Sequence, residues 1–333
     1  MKRHNEFSIR AVYQAATIEH ADPPHNTLQL KIYYPASEPA ESFDPLPRGN
    51  STNFPYSPFP VVIFFSGVNC SQESYRWLAM TLVPQGFVVV TFDWVAPYLP
   101  GMVGLTPGVN VKALASDIYG SVPTAIALPT ILQALDKIQA EGSLAGKLNL
   151  DQLILGGHSA GGRVALESAS PRFFDKVVAA FAYGAHTAAG PSLGFSPGQI
   201  LPLTDQLPLL LMGGSCDGLI HKNGKLYGVT WASATEPIER TFNEGLQGGR
   251  HDNYLLILNG ANHFAMTDPV DPTANMAFLD DQGTQPSALY RQIIGDILGI
   301  FLATHIDHDL DALAQLTTYL QSDNPLIQQM ISK

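Results

Sequence analysis

Short apolar runs rich in β-branched and aromatic residues alternate along the chain with longer stretches of helical period. That alternation predicts an α/β fold built on a mostly parallel sheet of about eight strands with helices on both faces. Val61-Val62-Ile63-Phe64-Phe65 is a continuous apolar run of the kind a strand covered on both sides requires. Phe87 to Phe92, Gln152 to Leu155, Val177 to Tyr183, Leu207 to Met212 and Tyr254 to Leu258 read as further strands. Two earlier segments, Phe7 to Ala16 and Thr27 to Tyr34, flank the turn-forming Ala21-Asp22-Pro23-Pro24-His25-Asn26 and predict an antiparallel pair at one edge. A Pro-rich loop, Pro35 to Pro60, separates them from the rest.

Helical patterns cover Glu73 to Val83, about Ser116 to Ala140 with kinks at Pro123 and Pro129, Arg163 to Ala169, and Ser287 to Thr304. No linker is evident, so residues 1–306 are expected to form a single domain with insertions near 95–111, 186–202 and 219–252. Residues 307–333 read as a polar, partly helical tail.

Composition agrees with a large core: of 333 residues 45% are hydrophobic and only 14% charged. The formal net charge of −11 repels phosphate backbones, which argues against nucleic acid as a partner. The opening Met1 to Arg10 is basic without a following apolar run, so no secretory signal is expected. Ala288 to Ile306 comes nearest to a membrane span but contains Arg291 and Asp296, so contact with a membrane surface would be transient. Two cysteines, Cys70 and Cys216, suit neither a disulfide framework nor a zinc site and point to a reducing, cytoplasmic setting.

The strongest chemical signal is Gly157-His158-Ser159-Ala160-Gly161, a G-x-S-x-G pattern between an expected strand and an expected helix. Glycines are needed because a nucleophile on so sharp a turn leaves no room for bulky neighbours. A serine hydroxyl is a weak nucleophile until a base takes its proton, and in this architecture an acid and then a histidine follow in chain order. Asp217, in Gly213-Gly214-Ser215-Cys216-Asp217-Gly218, stands just past an expected strand. His263, in Asn259-Gly260-Ala261-Asn262-His263-Phe264, occupies the corresponding loop after the next. Asp217 is therefore read as the orienting acid and His263 as the general base. Backbone N–H groups of Ala160 and of Val68, the latter in Ser66-Gly67-Val68-Asn69-Cys70, are the candidate oxyanion donors, with Gly67 allowing close approach.

Candidate substrate-contacting residues are Gly67, Tyr98, Met102, Tyr183, His186, Phe195, Trp231 and Phe264, with Phe181 beside them and Trp231 as a mobile cover. Cys70 and Cys216 read as small hydrophobes. His305-Ile306-Asp307-His308-Asp309 reads as a solvated cap between helices, and Asp268, Asp271, Asp280 and Asp281 as a surface loop. No metal and no organic cofactor is called for.

Phe59 to Gly67, Gln85 to Val90, the Gly157-His158-Ser159-Ala160-Gly161-Gly162 turn, Asp217 and Asn262-His263-Phe264 together resemble the α/β-hydrolases. Within them the chain looks most like the branch of chlorophyllases, platelet-activating-factor acetylhydrolase-like esterases and bacterial polyester hydrolases. That resemblance implies a serine carboxylic-ester hydrolase acting on a bulky lipophilic ester, chlorophyllase-like, releasing chlorophyllide and phytol. A general lipid or acetyl esterase, a cutinase-like polyester hydrolase and a non-catalytic binding protein of the same fold are the alternatives. The chain departs from chlorophyllases in carrying Ala160 where they have a basic residue, and from dienelactone hydrolases in carrying Ser159 where they have cysteine.

Overall fold

The computed structural model describes residues 8–19, 21–36, 58–99, 101–274 and 276–333. Phe7, Pro100 and most of the Pro35 to Pro60 loop lie outside the described residues.

Strands β1 (Ser8–Thr17) and β2 (Thr27–Ala36) pair antiparallel, with Val12 opposite Ile32. β2 then pairs antiparallel with β4 (Val88–Leu99), which lies parallel to β3 (Phe59–Phe65). Beyond β3 follow β6 (Leu148–His158), β7 (Val177–Tyr183), β10 (Leu209–Gly214) and β11 (Asn253–Leu258), each parallel to its neighbour. The far edge is β12 (Ile327–Ser332), antiparallel to β11. The full sheet has 10 strands, because β5 (Met102–Leu105) folds back on the end of β4 as a hairpin. A separate two-stranded ribbon joins β8 (Ala188–Ala189) to β9 (Gln199–Ile200).

The central strands are continuously apolar because alternate side chains enter two different cores. Val61, Ile63 and Phe65 pack with α2 (Leu128–Ala140) and α3 (Ala160–Ser168), together with Ile238 of α5 (Glu236–Arg240). Val62 and Phe64 face the opposite layer, built from α1 (Arg76–Leu82) and α6 (Ser287–His305) with Leu316 of α7 (Leu310–Tyr319). The short α4 (Gly218–Lys222) follows β10. No helix among the described residues is long and apolar enough to cross a membrane.

Three expectations need correction. The helix expected over Ser116 to Ala140 begins only at Leu128, with Pro129 in its first turn, where a missing N–H costs nothing. The 95–111 insertion is not simply a loop, since β4 runs on to Leu99 and pairs with β5. Residues 307–333 hold the expected helix, α7, but are not a tail beyond the domain, because the chain then re-enters the sheet as β12.

The order β4-β3-β6 places successive crossovers on opposite sides of β3. A crevice opens at such a reversal, outside the carboxyl ends of the strands. The loops after β3, β6, β7, β10 and β11 all leave that edge.

Candidate active site

Ser159 sits between the last residue of β6 and the first of α3 with φ 57° and ψ −128°. A side-chain-bearing residue at positive φ is strained, and the surrounding packing holds it there. The Ser159 N–H donates to Tyr183 O at 2.9 Å and its carbonyl accepts from Arg163 N–H at 3.0 Å, so both sides of the turn are tied down. The glycines answer to the closeness of backbones. A Cβ on Gly157 would lie 2.4 Å from Gly161 O, and one on Gly161 only 2.3 Å from Phe65 O and Ser66 O. α3 thus starts pressed against the end of β3, which brings the Ser66 to Cys70 loop beside Ser159.

Asp217 and His263 come together from the ends of adjacent parallel strands. Asp217 caps α4, its Oδ1 accepting the Ile220 N–H at 2.9 Å, while its Oδ2 accepts from His263 Nδ1 at 2.7 Å. Both side chains are almost fully buried, at 1% and 2% exposure. Since Nδ1 carries the proton given to Asp217, Nε2 of a neutral His263 is a free acceptor. Burial pulls the His263 pKa down, but the charge and hydrogen bond of Asp217, with the charge of Asp280, outweigh it and hold the imidazole above its ordinary value. Among the described residues the Ser159 hydroxyl is not hydrogen-bonded to His263, as is common for serine–histidine pairs of catalytic sites without ligand.

His158, the residue before Ser159, is wholly buried and links the loops. Its Nε2 donates to the His263 carbonyl at 3.0 Å, so its Nδ1 accepts from the Tyr75 hydroxyl at 2.8 Å. Tyr75 in turn accepts the Gly67 N–H at 3.0 Å. Burial, then the charge of His263, drive the His158 pKa far below its ordinary value, so its ring is neutral.

Gly67 spends its N–H on Tyr75 and offers nothing to an oxyanion. The N–H groups of Val68 and Ala160 meet no backbone acceptor among the described residues, and both residues are half-buried at the crevice. Asn69, at φ 55°, donates its N–H to Leu105 O at 2.8 Å, so the β4–β5 hairpin braces the loop that carries Val68.

The other candidates divide. Tyr98 is half-buried and within 3.5 Å of Asn69 Nδ2, and Met102 is exposed on the same hairpin. Phe264 is buried with its ring edge-on to His263, centroids 5.2 Å apart. Tyr183 and Phe181 belong to the core rather than to a pocket wall, and the Tyr183 hydroxyl donates to Asn262 O at 2.7 Å, steadying the His263 loop. Trp231 is no mobile cover, being buried against His186 and Tyr227. His186 is buried, and its Nδ1 accepts the Ala188 N–H; burial, with the charges of Arg163 and His263, lowers its pKa to about 3. Phe195 packs against Tyr119. Cys70 is buried and its thiol is pushed by burial to about 11, which leaves it un-ionised at neutral pH.

Sequence reading missed Tyr75 and the bridging role of His158, and it assigned Asp280 to a surface loop. Asp280 is half-buried and accepts backbone N–H groups from both Gly218 and His263, at 3.1 and 3.3 Å. No pattern marked Tyr75, although His158 stood inside the motif already singled out.

A scan against protein-family models finds no match for this chain, and no curated protein matches it.

Proposed function

We propose that the protein is a serine carboxylic-ester hydrolase with the α/β-hydrolase fold, acting through Ser159, His263 and Asp217. The observation that carries this reading is a strained serine at the sheet's carboxyl edge beside two backbone N–H groups that meet no backbone acceptor among the described residues, with a buried Asp–His pair on the same edge. A binding role alone does not call for that combination.

In this reading Ser159 Oγ adds to the ester carbonyl carbon as His263 Nε2 takes the hydroxyl proton. The carbonyl oxygen, now an anion, accepts from Val68 and Ala160 N–H, each such donor lowering the barrier by about 3 kcal/mol. The carbon–oxygen bond to the alcohol then breaks, and His263 gives its proton to the departing oxygen. Water, deprotonated by His263, attacks the acyl-enzyme and releases the acid, returning the proton to Ser159. Asp217 holds the ring in the Nδ1–H tautomer and supports the imidazolium.

Val95, Met102 and Val103 are exposed apolar side chains of the β4–β5 hairpin, whose Leu105 carbonyl braces the Val68 loop. Apolar exposure on that hairpin supports a bulky lipophilic ester, and the chlorophyllase-like reading is the specific form of it. The test is labelling by a fluorophosphonate, mapped by peptide mass spectrometry, alongside hydrolysis of a short nitrophenyl ester and of chlorophyll. Label on Ser159 with ester turnover is expected; an unlabelled Ser159 in the folded protein would replace this reading with a non-catalytic binding protein.

The pH dependence follows from His263. The base must be neutral to work, and its pKa is raised, so kcat/KM should climb with pH along an acid limb whose midpoint lies above 6.5. Initial rates across the acid and neutral range check this, and a midpoint below 6.5 would contradict it.

A further inference from the structure

Asp280 closes a short 3₁₀ turn, Ala277–Leu279, 17 residues after His263 and far in sequence from Asp217. Its carboxylate gathers four backbone donors. Oδ1 accepts Gly218 N–H at 3.1 Å, His263 N–H at 3.3 Å and Asp281 N–H at 3.0 Å, and Oδ2 accepts Phe264 N–H at 3.3 Å. Gly218 directly follows Asp217 and Phe264 directly follows His263, so one side chain bridges the loop of the acid and the loop of the base. The turn is itself anchored to both, because Lys222 of α4 donates to Leu279 O at 2.8 Å and Asn262 Nδ2 donates to Asp281 O at 2.9 Å.

We propose that Asp280 is a positioning residue for the reaction of Ser159, His263 and Asp217. Its carboxylate sets the acid loop against the base loop, and its charge supports the imidazolium formed when His263 takes a proton. The inference rests on the hydrolase reading above and extends it to a residue outside the triad.

Electrostatics point the same way. Facing His263 are Asp217 at the start of α4, Asp280, His158 at the end of β6 with its ring centroid 4.8 Å away, and His186 after β7. The buried Tyr183 hydroxyl on β7 has its pKa pushed well up and stays neutral. His158 and His186 are held neutral by burial, which leaves Asp217 and Asp280 as the anions of the group. Burial and the Asp217 charge raise the Asp280 carboxyl above its ordinary value, while His263 and the backbone donors of His263 and Phe264 pull against them. A carboxylate kept half-buried beside another needs compensating donors, and the backbone supplies them.

The test compares the wild type with Asp280→Asn and Asp280→Ala. The asparagine keeps an acceptor oxygen and removes the charge; the alanine removes the bridge. Titration of the His263 ring by NMR reads the charge without relying on turnover. Its midpoint should fall in Asp280→Asn, with the acid limb of kcat/KM moving to lower pH in step. On the plateau kcat should fall roughly tenfold in Asp280→Asn and up to about a hundredfold in Asp280→Ala, with KM little changed, as expected when reacting groups lose alignment. An unmoved His263 titration and acid limb in Asp280→Asn would overturn the proposal, even if kcat dropped, because a merely structural role lowers kcat without shifting either. If Asp280→Ala does not fold, the asparagine comparison decides alone. A wild type that hydrolyses no ester while the His263 titration still shifts would refute the hydrolase reading and leave the hold of Asp280 on His263 established.

Discussion

Ser159→Ala should lower kcat for ester hydrolysis by roughly a millionfold, down to the residual rate that binding and the oxyanion donors sustain. In the proposed reaction the loss is this large because the hydroxyl forms the new bond and no neighbour replaces it. Cys70 is buried with a raised pKa, and the water that completes turnover needs an acyl-enzyme to attack. Stability should stay within about 0.5 kcal/mol of wild type, since the half-buried Ser159 is held by its backbone N–H and C=O, and both bonds survive in alanine. Initial rates on a nitrophenyl ester together with a thermal melt check both halves. Turnover above one part in about ten thousand of wild type, far beyond the roughly one part in a million that binding and the oxyanion donors sustain, would move the nucleophile elsewhere.

Asp217→Asn should lower kcat by about ten-thousandfold with the fold intact, and the reason lies in the second duty of this side chain. Oδ1 caps α4 through the Ile220 N–H, and Oδ2 faces His263 Nδ1. An asparagine has one acceptor to share between them. Its oxygen is drawn to the Ile220 N–H, which nothing else satisfies, and its NH₂ is then turned toward the imidazole. His263 must present a bare Nδ1 to that donor, so the ring proton moves to Nε2, where the Ser159 proton was to be received. A measured kcat near the wild-type value, with the cap intact in an NMR or crystal structure of the variant, would contradict this role. Asp217→Ala would lose the cap as well, at about 1 kcal/mol of stability, so asparagine is the cleaner substitution.

The strands that position these groups were legible because they are buried on both faces. Val61 to Phe65 and Val177 to Tyr183 leave no polar residue to blur the pattern, and β3 and β7 span those segments. Ser159, Asp217 and His263 were legible as candidates because each directly follows or closely trails such a strand. What the pattern hid depends on distant partners. β12, Ile327-Gln328-Gln329-Met330-Ile331-Ser332, is too polar to read as a strand and exists through its pairing with β11. The β4–β5 hairpin turns within a Pro- and Gly-rich stretch that reads as a loop from composition alone. In 116–127, apolar spacing suggested a helix, but Pro123 removes an N–H group it would need, and Pro129 suits a helix that starts at Leu128. Asp280 gave no signal because its partners are backbone amides, which every residue but proline carries.

The bonds around His158 run in one direction, from Gly67 N–H to the Tyr75 oxygen, from the Tyr75 hydrogen to Nδ1, and from Nε2–H to the His263 carbonyl. Every donor in that sequence already has its acceptor. A second proton on His158 would have to sit on Nδ1 and strand the Tyr75 hydrogen in a dry interior, so the ring refuses charge across the working pH range. His158 therefore behaves as an insulator beside His263: two imidazoles stand in ring contact, yet the site stores one proton at a time.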